Sequence, residues 1–130
     1  MSIDTRLEDG WLAVIKLSGE LDAYMAPEVR DRVEEILGTG HSWLLIDLTD
    51  VEYMDSVGLG IMVGAAKRAN ERSGDIAIVC QRPNVLRVFE ISGTKDLLNV
   101  VATLAEARAV LERSRERAAG EQGASGGEAQ

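Results

Sequence analysis

Ser56 is the residue of this chain whose type and setting carry the clearest chemistry. It lies in Tyr53-Met54-Asp55-Ser56-Val57-Gly58-Leu59-Gly60, between the apolar runs Trp43–Leu48 and Ile61–Ala66. The first run has the length of a buried strand and the second the composition of a helix body, so Ser56 is predicted at a strand-to-helix turn. A hydroxyl at or next to a helix N-cap can reach backbone N–H groups that have no partner inside the helix. The helix dipole also favours an anion there. Two readings follow from these residues alone. Ser56 is an ordinary N-cap, or it is an exposed hydroxyl, fixed by its scaffold, that can accept a removable phosphate.

The elements that must hold Ser56 follow from the pattern on either side. Ile3, Thr5 and Leu7 alternate, and Asp9-Gly10 is a hairpin turn signal before Trp11–Ser18, so the chain opens with two antiparallel strands. Asp22–Met25 leads into a helix from about Pro27 to Leu37, with Val29, Val33, Ile36 and Leu37 as its apolar face and Gly38 at its end. Trp43–Leu48, apolar almost throughout, is predicted to be a strand covered on both faces. A second helix runs from near Ser56 to about Arg72, and Asp75–Cys80 is a fourth strand. A short helix carries Val85, Leu86, Val88 and Phe89 and closes at Gly93. Leu97–Val101 is a fifth strand, and Thr103-Leu104-Ala105-Glu106 is a capping box for a last helix with Leu104, Ala107 and Leu111 inward. After the hairpin, strand and helix alternate, which predicts an α/β fold with a mixed, mostly parallel five-stranded sheet and about four helices. Residues 1–118 form the domain. Residues 119–130 are small and polar and are expected to be a disordered tail.

Other constellations fit less well. Gly58-Leu59-Gly60 followed by Gly64 is one residue off the dinucleotide fingerprint, and it follows the third strand rather than the first of its unit. These glycines are expected to act geometrically, Gly58 and Gly60 giving room at the turn and Gly64 letting the helix pack close on the sheet. Asp47, near the end of a parallel strand, sits where a receiver domain keeps its phosphorylated aspartate. The acidic pair and the lysine of a receiver have no counterpart here. His41, the lone histidine, stands in a Gly-His-Ser turn without metal-ligand spacing and cannot serve a distant nucleophile. Cys80 is expected to be a small core residue, and Trp11 and Trp43 to cap the core edge. The expectation is a protein that is not an enzyme and holds neither metal nor cofactor.

Composition narrows the class further. The chain has 130 residues, enough for one domain with its own core. A single cysteine excludes an intrachain disulfide and is consistent with a reducing, cytoplasmic setting. No basic leader followed by an apolar run, and no apolar stretch of membrane-spanning length, is present. With 22 acidic and 14 basic residues, net charge is −8, which argues against a nucleic-acid partner. The acidic excess serves solubility or steers the chain towards a basic patch on a partner protein.

The segment around Ser56 resembles the phosphorylation loop of the anti-sigma-factor antagonists, single-domain members of the STAS family, with its Asp-Ser-(Ser/Thr)-Gly-Leu-Gly pattern. Gly19-Glu20-Leu21-Asp22 and Phe89-Glu90-Ile91-Ser92-Gly93 match two further stretches of that family, and the resemblance extends from about Ile3 to Leu111. Val57 departs from the usual second hydroxyl residue, and Thr94 stands where leucine is common. The resemblance implies that Ser56 is the sole phosphoacceptor of the loop. It also implies a partner-binding surface made by Asp22, Asp55, Ser56, Val57, Gly58 and Leu59. The implied partners are an anti-sigma factor that is also a serine kinase, and a serine phosphatase. A STAS subunit that regulates a membrane transporter or a stressosome-like assembly is the alternative within the family. A small nucleotide-binding α/β domain is the alternative outside it.

Overall fold

A computed structural model describes the backbone of residues 1–128 and the side chains of residues 1–120. The elements in chain order are β1 (Ser2–Glu8), β2 (Leu12–Leu21), α1 (Ala26–Gly38), β3 (Trp43–Met54), α2 (Ser56–Glu71), β4 (Asp75–Val79), α3 (Pro83–Ser92), β5 (Val100–Val101) and α4 (Leu104–Glu128). The five strands lie side by side in sequence order; β1 and β2 are antiparallel and every later pair is parallel. This is the mixed α/β sheet that the pattern of turns and apolar runs predicts. The tight hairpin turns through Asp9, Gly10 and Trp11: Asp9 and Gly10 both take positive φ, 52° and 74°, and the Trp11 N–H donates to the Glu8 carbonyl at 3.2 Å.

Side-chain alternation along the strands divides the core in two. Ala13, Ile15, Leu17, Leu44, Ile46, Leu48, Ile76 and Ile78 face one layer, which α1, α2 and α3 fill with Val29, Val33, Leu37, Met62, Ala65, Ala69, Val85 and Phe89. Leu12, Val14, Leu45, Ala77 and Val79 face the other, closed by Ala107 and Leu111 of α4. The central strand β3 is therefore covered on both sides, as its nearly continuous apolar run over Trp43–Leu48 predicts. Ala107 and Leu111 point inward as expected, but Leu104, in the first turn of α4, is 43 % exposed and lines an open cleft beside Val14 and Leu45. Thr103 caps this helix: the Glu106 N–H donates to Thr103 Oγ1, and that hydroxyl donates to Glu106 Oε1, each at 3.1 Å.

Several boundaries differ from the sequence-based ones, each for a local reason. β2 continues past Ser18 to Leu21 and β3 past Leu48 to Met54, across register shifts between Lys16 and Ser18 and between Gly19 and Glu20. Those bulges break the alternation that a sequence pattern detects. β5 is two residues long rather than Leu97–Val101. The N–H groups of Leu98, Asn99 and Val100 donate to Thr94, Asp96 and Lys95 carbonyls, winding the preceding residues into turns, with Asn99 at φ 50°. The helical backbone of α4 extends past Ala118 to Glu128, while the side chains of the expected tail from residue 121 onward, and all of residues 129–130, lie outside the described residues. Among the described residues, no helix is long and apolar enough to cross a membrane.

Candidate functional site

β2 and β3 are parallel neighbours that end together, with Leu21 opposite Met54. The turns that follow them therefore emerge side by side at the carboxyl ends of the strands, and both lead into helices of the same layer. The first of these turns carries Asp22, and the second carries Asp55 and Ser56.

Asp55 joins the two turns. Its Oδ1 accepts from the Val57 and Gly58 N–H groups, both at 3.0 Å, so it is the N-cap of α2. Its Oδ2 accepts from the Ala23 N–H at 3.1 Å in the neighbouring turn. The Asp55 N–H donates in turn to the Leu21 carbonyl at 3.3 Å. A cap with two oxygens can satisfy the helix end and the next turn at once, which a serine hydroxyl cannot. Ser56 is thus not the cap but the first residue of the helix, with its side chain exposed. Ser56 stands next to the cap, within the expected placement, but the N–H groups within its reach are taken: Asp55 Oδ1 holds two of them, and the Leu59 N–H donates to the Asp55 carbonyl at 3.0 Å.

Gly58 explains how the turns come so close. A Cβ there would lie 2.5 Å from the Leu21 carbonyl oxygen and 2.8 Å from Leu21 Cγ. Any side chain would push the Asp22 turn away from the start of α2. Gly60 faces open space, and a Cβ on Gly64 would meet only the Arg68 guanidinium, so neither glycine serves the sheet packing expected of Gly64. A close approach is made instead at Gly74, in the turn between α2 and β4, where a Cβ would run into the Ser42 carbonyl just ahead of β3.

Asp22 is half-buried, and its Oδ1 accepts from the Met25 N–H at 3.0 Å, which fixes the turn ahead of α1. Of the expected surface residues, Ser56 and Val57 are exposed, Val57 by 45 %. Gly58 is buried, and half-buried Leu59 packs on the core, so these two shape the site from beneath. Sequence reasoning missed Tyr24, 87 % exposed, and Tyr53, 48 % exposed, which flank the same turns. The available signal was an aromatic residue directly beside each turn carboxylate's segment, with no apolar periodicity to bury it.

The other groups of chemical interest lie elsewhere. Asp47 is buried, and its Oδ1 accepts from the Thr49 N–H at 3.0 Å and from the Thr49 hydroxyl, which makes it a brace within β3. His41 Nδ1 meets the Thr39 hydroxyl at 2.9 Å in the α1–β3 turn. Cys80 is buried, and desolvation pushes its thiol up from the ordinary cysteine value, which leaves little thiolate for reaction at neutral pH. Trp11 and Trp43 stack edge to face at 6.4 Å at the opposite end of the sheet, with Arg115 4.5 Å from the Trp11 ring centre. These aromatics pin α4 to the opening hairpin.

Comparison with known proteins agrees with this architecture. The STAS-domain family model matches residues 2–107. The chain belongs to the STAS-domain family. It is 37 % identical over 100 residues to the anti-sigma-B factor antagonist of Listeria monocytogenes, a match that covers 77 % of this chain and 88 % of the relative. Among solved structures, an anti-sigma factor antagonist from Mycobacterium paratuberculosis is 24 % identical, with a TM-score of 0.78 over 85 % of this chain and 93 % of that one. The Bacillus cell fate determinant SpoIIAA in its phosphorylated form is 23 % identical, with a TM-score of 0.67 over 83 % of this chain and 97 % of that one. Both have the same fold.

The Asp55 bridge makes a quantitative expectation. Asp55→Ala removes the cap of α2 and its tie to Ala23, leaving three N–H groups to find water. Unfolding in urea should show a loss of about 1–3 kcal/mol. A loss below ~0.5 kcal/mol would mean that the two turns hold together without it.

Proposed function

We propose that this chain is an anti-sigma-factor antagonist controlled by phosphorylation. Unphosphorylated, it binds an anti-sigma factor that is also an ATP-dependent serine kinase, and a sigma factor is released. The kinase transfers the γ-phosphoryl group of ATP to Ser56 Oγ, the hydroxyl proton passes to a base on the kinase, and ADP leaves. A serine phosphatase hydrolyses the phosphoester and restores binding. Nucleotide and Mg²⁺ belong to the partner, the chain itself acts as a binding module in the cytoplasm, and neither nucleic acid nor membrane is its target. Asp22, Asp55, Ser56 and Val57, shaped from below by Gly58 and Leu59, form the surface involved.

The observation that carries this reading is the position of Ser56. It is exposed at the first residue of α2, on a backbone that Asp55 ties to the neighbouring turn. The Listeria relative's name supplies the class of partner, and the SpoIIAA structure is that of a phosphorylated protein.

The physics of the switch is local. Phosphate adds about −1.5 to −2 charge and three acceptor oxygens. Since the Val57, Gly58 and Leu59 N–H groups are already bonded to Asp55, the phosphate finds little to fold back on and stays directed outward. In a complex it must be desolvated without compensation from its own helix. Facing a partner carboxylate ~8 Å away, the Coulomb penalty alone is roughly 1–4 kcal/mol at effective dielectrics of 80 to 20. That corresponds to about fivefold to nearly a thousandfold in affinity. Binding can thus be switched off without a change of fold.

The test is sigma release. Unphosphorylated chain added to a preformed complex of the anti-sigma kinase and its sigma factor should displace the sigma factor, and chain phosphorylated beforehand should not. Equal displacement by both forms would remove phosphorylation from the mechanism, and displacement by neither would remove the antagonist function.

A further inference from the structure

Tyr24 is the most exposed of the large hydrophobic residues, and it is held by a rigid turn. Only 13 % of its surface is covered, since its exposure is 87 %. The residue before it is fixed by the Ala23 N–H donating to Asp55 Oδ2 at 3.1 Å. The residue after it is fixed twice, because the Met25 N–H donates to Asp22 Oδ1 at 3.0 Å and lies 3.2 Å from the Asp22 carbonyl. The ring therefore contributes nothing to the core, yet its backbone is pinned on both sides. Exposing a large aromatic on a fixed turn gives the isolated domain no stability, and it is the arrangement that makes a strong binding contact. Aromatic anchors dominate interface energies, and a preorganised backbone lowers the entropy cost of using them.

Tyr24 does not stand alone. Tyr53 and Val57, exposed by 48 % and 45 %, lie two residues before and two after Asp55, the residue that holds the Tyr24 turn. Glu20, opposite Tyr53 in the β2–β3 register, and Glu52, next to Tyr53 in the chain, are both exposed, and Asp22, two residues before Tyr24, is half-buried. Among the described residues none of these three carboxylates is engaged in an ion pair. The patch is thus apolar and aromatic at its centre, with unpaired negative charge at its rim.

We propose that Tyr24 is the principal anchor of this chain on the anti-sigma kinase, seated in an apolar pocket whose border carries Arg or Lys side chains. The proposal rests on the functional reading above and specifies which residue supplies the affinity and what chemistry the partner must offer. Glu20, Asp22 and Glu52 match a basic border by charge, orient the encounter and make association sensitive to salt. Tyr24 gives the tightness, and Ser56 beside it gives the control.

The experiment uses the full chain and the purified anti-sigma kinases of the organism that makes it, with affinity measured calorimetrically and Ser56 phosphorylation measured with ATP. Tyr24→Ala should weaken binding at least about 30-fold. Its melting temperature should stay within about 2 °C of the native value, because the side chain is solvated. In phosphorylation assays KM should rise with little change in kcat, the signature of binding energy shared by ground and transition states. Tyr24→Phe should bind within about threefold of native, since it keeps the ring. If Tyr24→Ala binds within about threefold of native while the native chain binds and is labelled on Ser56, the anchor assignment is overturned and the functional reading stands. If no anti-sigma kinase binds or labels the native chain, both fall. Unchanged kinase affinity with loss of self-association in Tyr24→Ala would assign the patch to a second copy of this chain and overturn the proposal.

Discussion

Ile46→Ala is expected to destabilise the domain by about 2–5 kcal/mol, read as a lower urea midpoint with an unchanged slope. Ile46 is fully buried in the middle of β3, with β2 on one side and β4 on the other, and its side chain packs in the layer filled by α1, α2 and α3. Removing three carbons there leaves a cavity that neighbours from both the sheet and the helices would have to close. Because β3 also ends at Asp55 and Ser56, loss of its packing loosens the strand that sets the position of the candidate site. A cost below ~1 kcal/mol would show that β3 is not the central support described here.

The same strand shows how far the sequence could be read. Trp43–Leu48 is recognisable because a strand covered on both faces is apolar at nearly every position, here all but Asp47. Thr49–Met54 belongs to the same strand but alternates irregularly, since β3 carries an extra residue at each of its two register shifts against β2. The hairpin at Asp9-Gly10, the left-handed closure of α3 at Gly93 (φ 72°) and the Thr103–Glu106 cap were legible, because each depends on chemistry within four residues. The identity of the α2 cap was not. Asp and Ser are equally good caps, and the choice falls to Asp55 because its second oxygen meets Ala23, a residue far away in the chain. Gly74 and Tyr24 were missed for a related reason. Close approach to Ser42, and exposure beside Ser56, are properties of the assembled sheet and leave no periodic trace. The resemblance to the STAS family, by contrast, rests on three separated motifs in order, and the family match over residues 2–107 agrees with it.

Ser56 carries the second large expected effect. Ser56→Ala should fold as the native chain does, because Asp55 and not Ser56 caps α2, and it should keep its affinity for the anti-sigma kinase while taking up no phosphate. Ser56→Asp should also fold, since an acidic residue in the first turn suits the helix dipole. It should bind the kinase more weakly, and only in part reproduce phosphorylation, because a carboxylate has about half the charge of phosphoserine and fewer acceptor oxygens. Val57 sharpens the comparison by leaving no neighbouring hydroxyl to substitute for the missing one.

Phosphopeptide mapping of the native chain and Ser56→Ala, after incubation with the anti-sigma kinase and ATP, tests this account most directly. Native chain should be labelled at one site, in the peptide containing Ser56, and Ser56→Ala should carry no label. Label on another residue of the native chain, or equal labelling of Ser56→Ala, would contradict the proposed switch.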